Sequence, residues 1–184
     1  MTPTIITAHP SAFTALDREA FFRMLQGSAT VSGTGLRGRI DRASRLAFAR
    51  CPGGSLLGIA ALKVPDASYR ARISVASGVD LNTRDFPYER GWLFVEPPMR
   101  GQGIGSALLK ALSDILGGQS FYSVGAHHPT GHVHISAVEG LERVGRPFTG
   151  RVGQQLFVRV PMCMVHAAAG VCSYAINARI LAHV

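Results

Sequence analysis

Cysteine and lysine are both scarce in this chain of 184 residues. The three cysteines, Cys51, Cys163 and Cys172, are odd in number and contain no Cys-x-x-Cys spacing. That does not suggest a disulfide framework, and a reducing cytoplasm is the simplest fit. Lysine supplies only 2 of the 19 basic side chains, the rest being arginine. The skew reads as genomic base composition. Long apolar runs are absent too. No basic residue precedes Arg18 and no apolar run follows the first methionine, so no secretory signal is expected. The apolar stretch from Met162 to Cys172 is interrupted by His166 and is too short to span a bilayer, so no membrane partner is expected. No G-x-x-x-x-G-K-[ST] phosphate loop and no G-x-S-x-G elbow occurs.

The composition that remains is that of a folded protein. Hydrophobic residues make up 47% and charged residues 16% of the chain, and the length suits one domain with a real core. The net charge of +8 and pI of about 10.3 would attract anions such as coenzyme A, nucleic acid or an acidic partner. The arginines are dispersed and no run of like charge occurs, so a nucleic-acid partner is not expected.

Residues 95–109 carry the most information. Trp92 to Val95 reads as a strand apolar on both faces, as in the centre of a sheet. Pro97-Pro98 breaks it. Gly101, Gly103 and Gly105 then lead into a helix whose stripe is Ile104, Ala107, Leu108, Ala111, Leu112 and Ile115, with Gly117-Gly118 as its C-terminal stop. The first turn of a helix leaves its N–H groups without partners and carries partial positive charge. Glycines that lack Cβ let a phosphate approach those amides.

Arg100-Gly101-Gln102-Gly103-Ile104-Gly105, with the lead-in Val95-x-Pro97-x-x-Arg100, resembles the signature (Gln or Arg)-x-x-Gly-x-(Gly or Ala) of the GNAT superfamily of acyl-CoA-dependent N-acetyltransferases. The resemblance implies an α/β fold, a mixed and mostly antiparallel central sheet flanked by helices, over about residues 1–161. It also implies acetyl-CoA-dependent transfer of an acetyl group to a primary amine by direct attack on the thioester. Acetyl-CoA would be the cosubstrate. Amides from Arg100 through Gly101, Gln102, Gly103, Ile104 and Gly105 to Ser106 would hold its pyrophosphate. The Arg100 side chain would either add cationic charge or bond its own loop. In the family the strand before the signature splays from the next one and pantetheine fits between them. That assigns Leu93, Phe94 and Val95 to cofactor contacts, with an N–H near Val95 polarising the thioester carbonyl.

Proton transfer is less clearly marked. Glu89, just before the strand, and Glu96, at its end, are candidate bases acting through a water, each to be weighed against a solvated carboxylate. The family often places a tyrosine acid four residues before a Gly-Phe pair; with Gly140-Leu141 aligned there, that position holds Ser136, a poor acid. Tyr122 on the following strand is the substitute candidate, to be weighed against a plain core residue. The family's helix-starting Asn is missing, with Thr130 or His128 nearest. A non-catalytic acyl-CoA-binding or regulatory module is the alternative reading. The acceptor, a small-molecule or peptide amine, is not legible, and a homodimer, common in the family, stays open.

His127, His128, His132 and His134 invite a metal reading, and His128 and His132 share an i, i+4 spacing. No cysteine or carboxylate lies close enough to complete a set, so no metal is expected. Gly33-Thr34-Gly35-Leu36-Arg37-Gly38 matches G-x-G-x-x-G. It lacks a strong strand before it, a helical stripe after it and an acid roughly 20 residues on, so it reads as loop.

Along the rest of the chain the patterns predict a strand at Thr4 to Thr7 and a helix capped by Ser11 or Thr14 and running to about Gln26, with Ala20, Phe21, Met24 and Leu25 inward. Strands follow at Arg45 to Arg50 and Ser55 to Lys63, around a Cys51-Pro52-Gly53-Gly54 turn. A short helix is expected around Ser68 to Val75, a strand at Phe121 to Ala126 and a helix from Pro129 to about Glu139. A hairpin of Glu142 to Phe148 and Gln155 to Val160 closes the pattern. Residues 162–184 form an apolar, acid-free extension, either a subunit contact or cap, or an accidental tail.

Overall fold

The computed structural model describes residues 2–28, 31, 33–126, 141–149 and 154–159. Seven strands are hydrogen-bonded in the order β1-β2-β3-β4-β5-β7-β6. They are β1 (Thr4–Ala8), β2 (Arg45–Arg50), β3 (Leu56–Lys63), β4 (Tyr88–Val95), β5 (Phe121–Ala126), β6 (Glu142–Phe148) and β7 (Gln154–Arg159). Four helices accompany them: α1 (Ala15–Gln26), α2 (Leu36–Asp41), α3 (Ala67–Ser77) and α4 (Ile104–Ile115). The β1–β2, β2–β3, β5–β7 and β6–β7 pairs are antiparallel and β4–β5 is parallel. This is the mixed, mostly antiparallel α/β architecture expected from the sequence. The chain forms two compact units, Met1–Val64 with Arg90–Gly117 and Pro65–Glu89 with Gly118–Val184.

In the first unit, β3 is buried along six consecutive residues, which is why its sequence shows no polar face. Phe21 and Leu25 of α1, Leu36 and Ile40 of α2, Leu46 and Phe48 of β2, and Ile59 and Ala61 of β3 make one core, with Trp92 and Phe94 of β4 packed against it. The even-numbered side of β3 meets α4 instead. A Cβ on Gly58 would lie 3.2 Å from Leu108 Cδ1 and 3.0 Å from the Phe94 carbonyl. That glycine lets helix and strand close together. Of the two caps expected for α1, Ser11 and Thr14, the structure uses the second. Thr14 caps it, its hydroxyl accepting the Asp17 N–H while Asp17 accepts the Thr14 N–H.

In the second unit, Ile73 of α3 and Leu81, which follows it, cluster with Tyr122 of β5 and with Leu156 and Val158 of β7. Asp66 caps α3, and Arg70 is buried within it.

Two expectations need correction. Residues 36–41 form a helix, not a loop. Its one and a half turns carry no stripe beyond Leu36 and Ile40, and burial of those two holds it. Strand β4 begins at Tyr88 rather than Trp92, so Glu89 lies inside it. The expected helix from Pro129 to Glu139 and the extension at 162–184 lie outside the described residues.

Candidate functional site

After β4 the two prolines cannot donate to a ladder, and Pro97–Met99 forms a single 3-10 turn. Glu96 N–H donates to the Leu57 carbonyl at 2.9 Å, Met99 N–H to Glu96 at 2.8 Å and Arg100 N–H to Pro97 at 3.3 Å. Those bonds hold the near side of the loop. Its far side is different. Gly101 and Gly103 take φ of 76° and 78°, a left-handed conformation that side chains disfavour, and Gly103 serves as the N-cap of α4 without a side-chain cap. Ala107 N–H donates to the Gly103 carbonyl at 3.0 Å. Among the described residues, no backbone carbonyl accepts from the amides of Gly101, Gln102, Gly103, Ile104, Gly105 or Ser106. Nothing lies within 4 Å of where a Cβ on Gly101 or Gly103 would stand. Open space, uncapped amides and the positive end of a twelve-residue helix make this turn suited to an anion.

The side chains flanking the turn brace it. Arg100 Nε donates to the Val95 carbonyl at 3.0 Å, and its guanidinium lies 5.7 Å from the Phe94 ring centre. Gln102 Nε2 donates to the Pro98 carbonyl at 3.3 Å. Of the two roles open to Arg100, the structure displays the bond to its own loop.

Strand β4 itself is broken in register. Arg90 Nη1 donates to Ser113 Oγ at 2.7 Å on α4, and Leu93 and Val95 also face α4, against Gly105. Residues 90 and 93 cannot share a face in a regular strand, where sides alternate. Trp92 absorbs the difference with a φ of 53°, left-handed and non-glycine. The strain is of order 1–3 kcal/mol. Packing of the indole edge-on to Phe21, at 6.3 Å between ring centres, with Lys63 Nζ 5.5 Å from its own centre, holds it there. Of the three expected cofactor contacts on β4, Leu93 and Val95 therefore point toward the first turn of α4, and Phe94 toward the core and Arg100.

The second unit gathers ionisable groups that the sequence left scattered. Glu89 and Tyr122 are register partners across the parallel β4–β5 pair, 3% and 0% exposed, so Glu89 is not a solvated carboxylate. Tyr69 of α3 donates its phenol to Glu89 Oε1 at 3.2 Å. Arg70, beside it, donates to the Leu81 and Pro87 carbonyls at 3.1 and 3.2 Å and also to that of Phe86, and lies 5.5 Å from the Tyr122 ring centre. Burial first, and then the Glu89 charge, push both phenols well above the usual tyrosine range; Arg70 partly offsets this for Tyr122. Tyr122 Oη meets no hydrogen-bond partner among the described residues.

Glu96 is half-buried at the start of the 3-10 turn, and its carboxylate caps nothing. Ser136, Thr130 and the four histidines at 127, 128, 132 and 134 lie outside the described residues. Among those described, no three side chains gather as a metal would need, and no helix is long and apolar enough to cross a membrane. The second glycine motif, at 33–38, follows helix α1 rather than a strand. Tyr69, Arg90 and the reversal at Trp92 escaped the sequence reading. Gly91, beside Trp92, is the one local hint of irregularity.

The model of the acetyltransferase (GNAT) family matches residues 12–134. Among solved structures, the chain is similar to histone acetyltransferase HPA2 and related acetyltransferase from Corynebacterium glutamicum ATCC 13032, with 18% identity, 93% of this chain and 100% of that one covered, and a TM-score of 0.61. It is similar to an acyl-CoA N-acyltransferase from Pseudomonas aeruginosa, with 12% identity, coverage of 86% and 100%, and a TM-score of 0.63. It is also similar to ElaA from Escherichia coli, with 14% identity, coverage of 86% and 99%, and a TM-score of 0.59. At these identities the likeness is one of fold. None of the curated proteins matches the chain.

Proposed function

The chain belongs to the GNAT acetyltransferase family, whose chemistry is acyl transfer from an acyl-CoA, and from that premise we propose that it moves an acetyl group from acetyl-CoA to a primary amine. The observation that carries this is the turn at 101–106. Among the described residues no backbone carbonyl accepts from its amides, and its glycines leave room above them. A diphosphate supplies the acceptors and the charge that such a helix start lacks.

When bound, acetyl-CoA supplies an activated thioester carbonyl. The amides of Gly101 to Ser106 hold its diphosphate, while Arg100 and Gln102 keep the turn in shape. Leu93, Phe94 and Val95 of β4 would contact the pantetheine arm, and an N–H near Val95 would polarise the thioester carbonyl. Glu89 takes the proton of the incoming ammonium through a water, and Tyr122 returns one to the leaving sulfur. Protonation of Glu89 removes one of the charges that hold the phenol's proton, so the two steps support each other. Glu96 suits the base role less well. It adjoins the anion turn, where its charge opposes a diphosphate.

One observation favours a second reading. Glu89 and Tyr122 are almost wholly buried, as suits a binding module that has lost catalysis. One measurement separates the readings and a second tests the premise they share. Free coenzyme A at millimolar concentration raises the melting temperature under both. Thiol release from acetyl-CoA with a panel of an aminoglycoside, a polyamine, free amino acids and lysine-bearing peptides occurs only under the first. No melting shift with coenzyme A overturns both.

A further inference from the structure

We propose that Tyr69 is the positioning residue for Glu89, holding that carboxylate in the one orientation from which it serves as base. The inference rests on the reading of Glu89 as base. Residue Tyr69 is twenty positions away in the chain, yet its phenol donates to Glu89 Oε1 at 3.2 Å. Its own place is fixed twice: its backbone N–H donates to Asp66 Oδ1 at 2.7 Å in the cap of α3, and the Arg72 guanidinium lies 5.1 Å from its ring centre. The next residue, Arg70, donates to the carbonyls of Leu81, Phe86 and Pro87, which lead directly into β4. One turn of α3 thus anchors both the chain entering β4 and the carboxylate that this chain carries.

A glutamate has three side-chain torsions, and an unbraced one spends most of its time pointing elsewhere. A base must be held close to its productive geometry, and buried neighbours with directed hydrogen bonds do this. Asp66 and Arg70, from the α3 side, act on Tyr122 of β5, and Arg72 acts on Tyr69; the two phenols, of Tyr69 and Tyr122, are the groups that sense the charge of Glu89. Of these, Tyr69 makes a directed bond to it at hydrogen-bond distance. Burial keeps the Tyr69 phenol protonated, so it remains a donor throughout the working range.

The test is a double-mutant cycle on thiol release from acetyl-CoA, using whichever amine of the panel turns over fastest. Glu89→Gln is expected to lower kcat about 10²–10⁴-fold and to flatten the acidic limb of the pH profile. Tyr69→Phe is expected to lower kcat about 10-fold, because the carboxylate is no longer held in its productive orientation. The KM for acetyl-CoA and the melting shift with coenzyme A stay as they were. The double variant is expected to be no slower than Glu89→Gln alone. Tyr69→His is a second variant, with a shorter reach, and is expected to lower kcat in the same direction with the KM for acetyl-CoA unchanged. It carries the test if the phenylalanine variant does not fold. A Glu89→Gln protein of undiminished rate overturns the base reading and the inference with it. A dead Glu89→Gln protein beside a Tyr69 variant of unchanged rate overturns the inference alone.

Discussion

Gly105 in the first turn of α4 lies against Leu93 of β4, the place of a methyl group on it being 3.6 Å from Leu93 Cδ2. That is ordinary van der Waals contact. Two residues earlier, Gly103 has open space around it but a φ of 78°. A glycine is thus required at 103 but not at 105, and the two alanine variants separate them. Gly105→Ala is expected to fold with a melting temperature near that of the parent and to keep its shift with coenzyme A. Gly103→Ala must force a left-handed alanine, at about 1–2 kcal/mol. It also sets a methyl beside the uncapped amides. A lower melting temperature and a much smaller shift with coenzyme A are expected. Equal behaviour of the two variants would contradict the assignment.

Trp92 is the chain's sole tryptophan, and it occupies the distorted middle of β4. Its emission is expected to change on addition of coenzyme A, because β4 carries the proposed cofactor edge. Trp92→Gly removes about 1–3 kcal/mol of backbone strain but forfeits about 3–5 kcal/mol of aromatic packing. Packing is the larger effect, so the variant should unfold at lower urea. A stabilised variant would mean that strain dominates at this position.

Thr14 and Asp17 cap α1 reciprocally, and Arg50 Nη2 meets Asp17 Oδ1 at 2.6 Å. The Thr14 hydroxyl, and after it the Thr14 amide, Arg50 and Arg18, hold the Asp17 carboxyl below its usual range against an opposing effect of burial. A carboxyl depressed in the folded state contributes stability above its unfolded pKa of about 3.9, and that contribution is lost as pH falls through the folded value. Thr14→Ala should therefore cost about 1 kcal/mol at pH 7. The difference from the parent should shrink in melts below about pH 4.

Arg146 of β6 donates to the Val75 and Ala76 carbonyls at 3.1 and 3.0 Å, at the end of α3. That helix has no basic residue in its own last turn, so the cation that suits its negative pole comes from another element. Arg146→Ala is expected to lower stability by about 1 kcal/mol, and Arg146→Lys to recover part of it. Chemical denaturation at low and high salt would show whether the contribution is electrostatic, since salt screens the charge.

Much of this protein was decided locally. The α4 stripe from Ile104 to Ile115, the proline break before it and the glycines of the turn depend on helix period, a missing N–H and handedness, which near neighbours set without help from the rest of the chain. The strands at Arg45–Arg50 and Phe121–Ala126 and the Thr14 cap were legible for the same reason. What only the tertiary structure decided depends on partners distant in sequence. Burial of Leu36 and Ile40 makes a helix of a segment without a stripe. The need of Arg90 and Leu93 to meet α4 together forces the reversal at Trp92. Glu89, in the sequence a candidate base weighed against a solvated carboxylate, is enclosed by Tyr69 and Tyr122 because α3 and β5 come to it from opposite directions along the chain. Local rules say which residues can bind an anion; only packing says which carboxylate loses its water, since desolvation is the sum over everything that surrounds it.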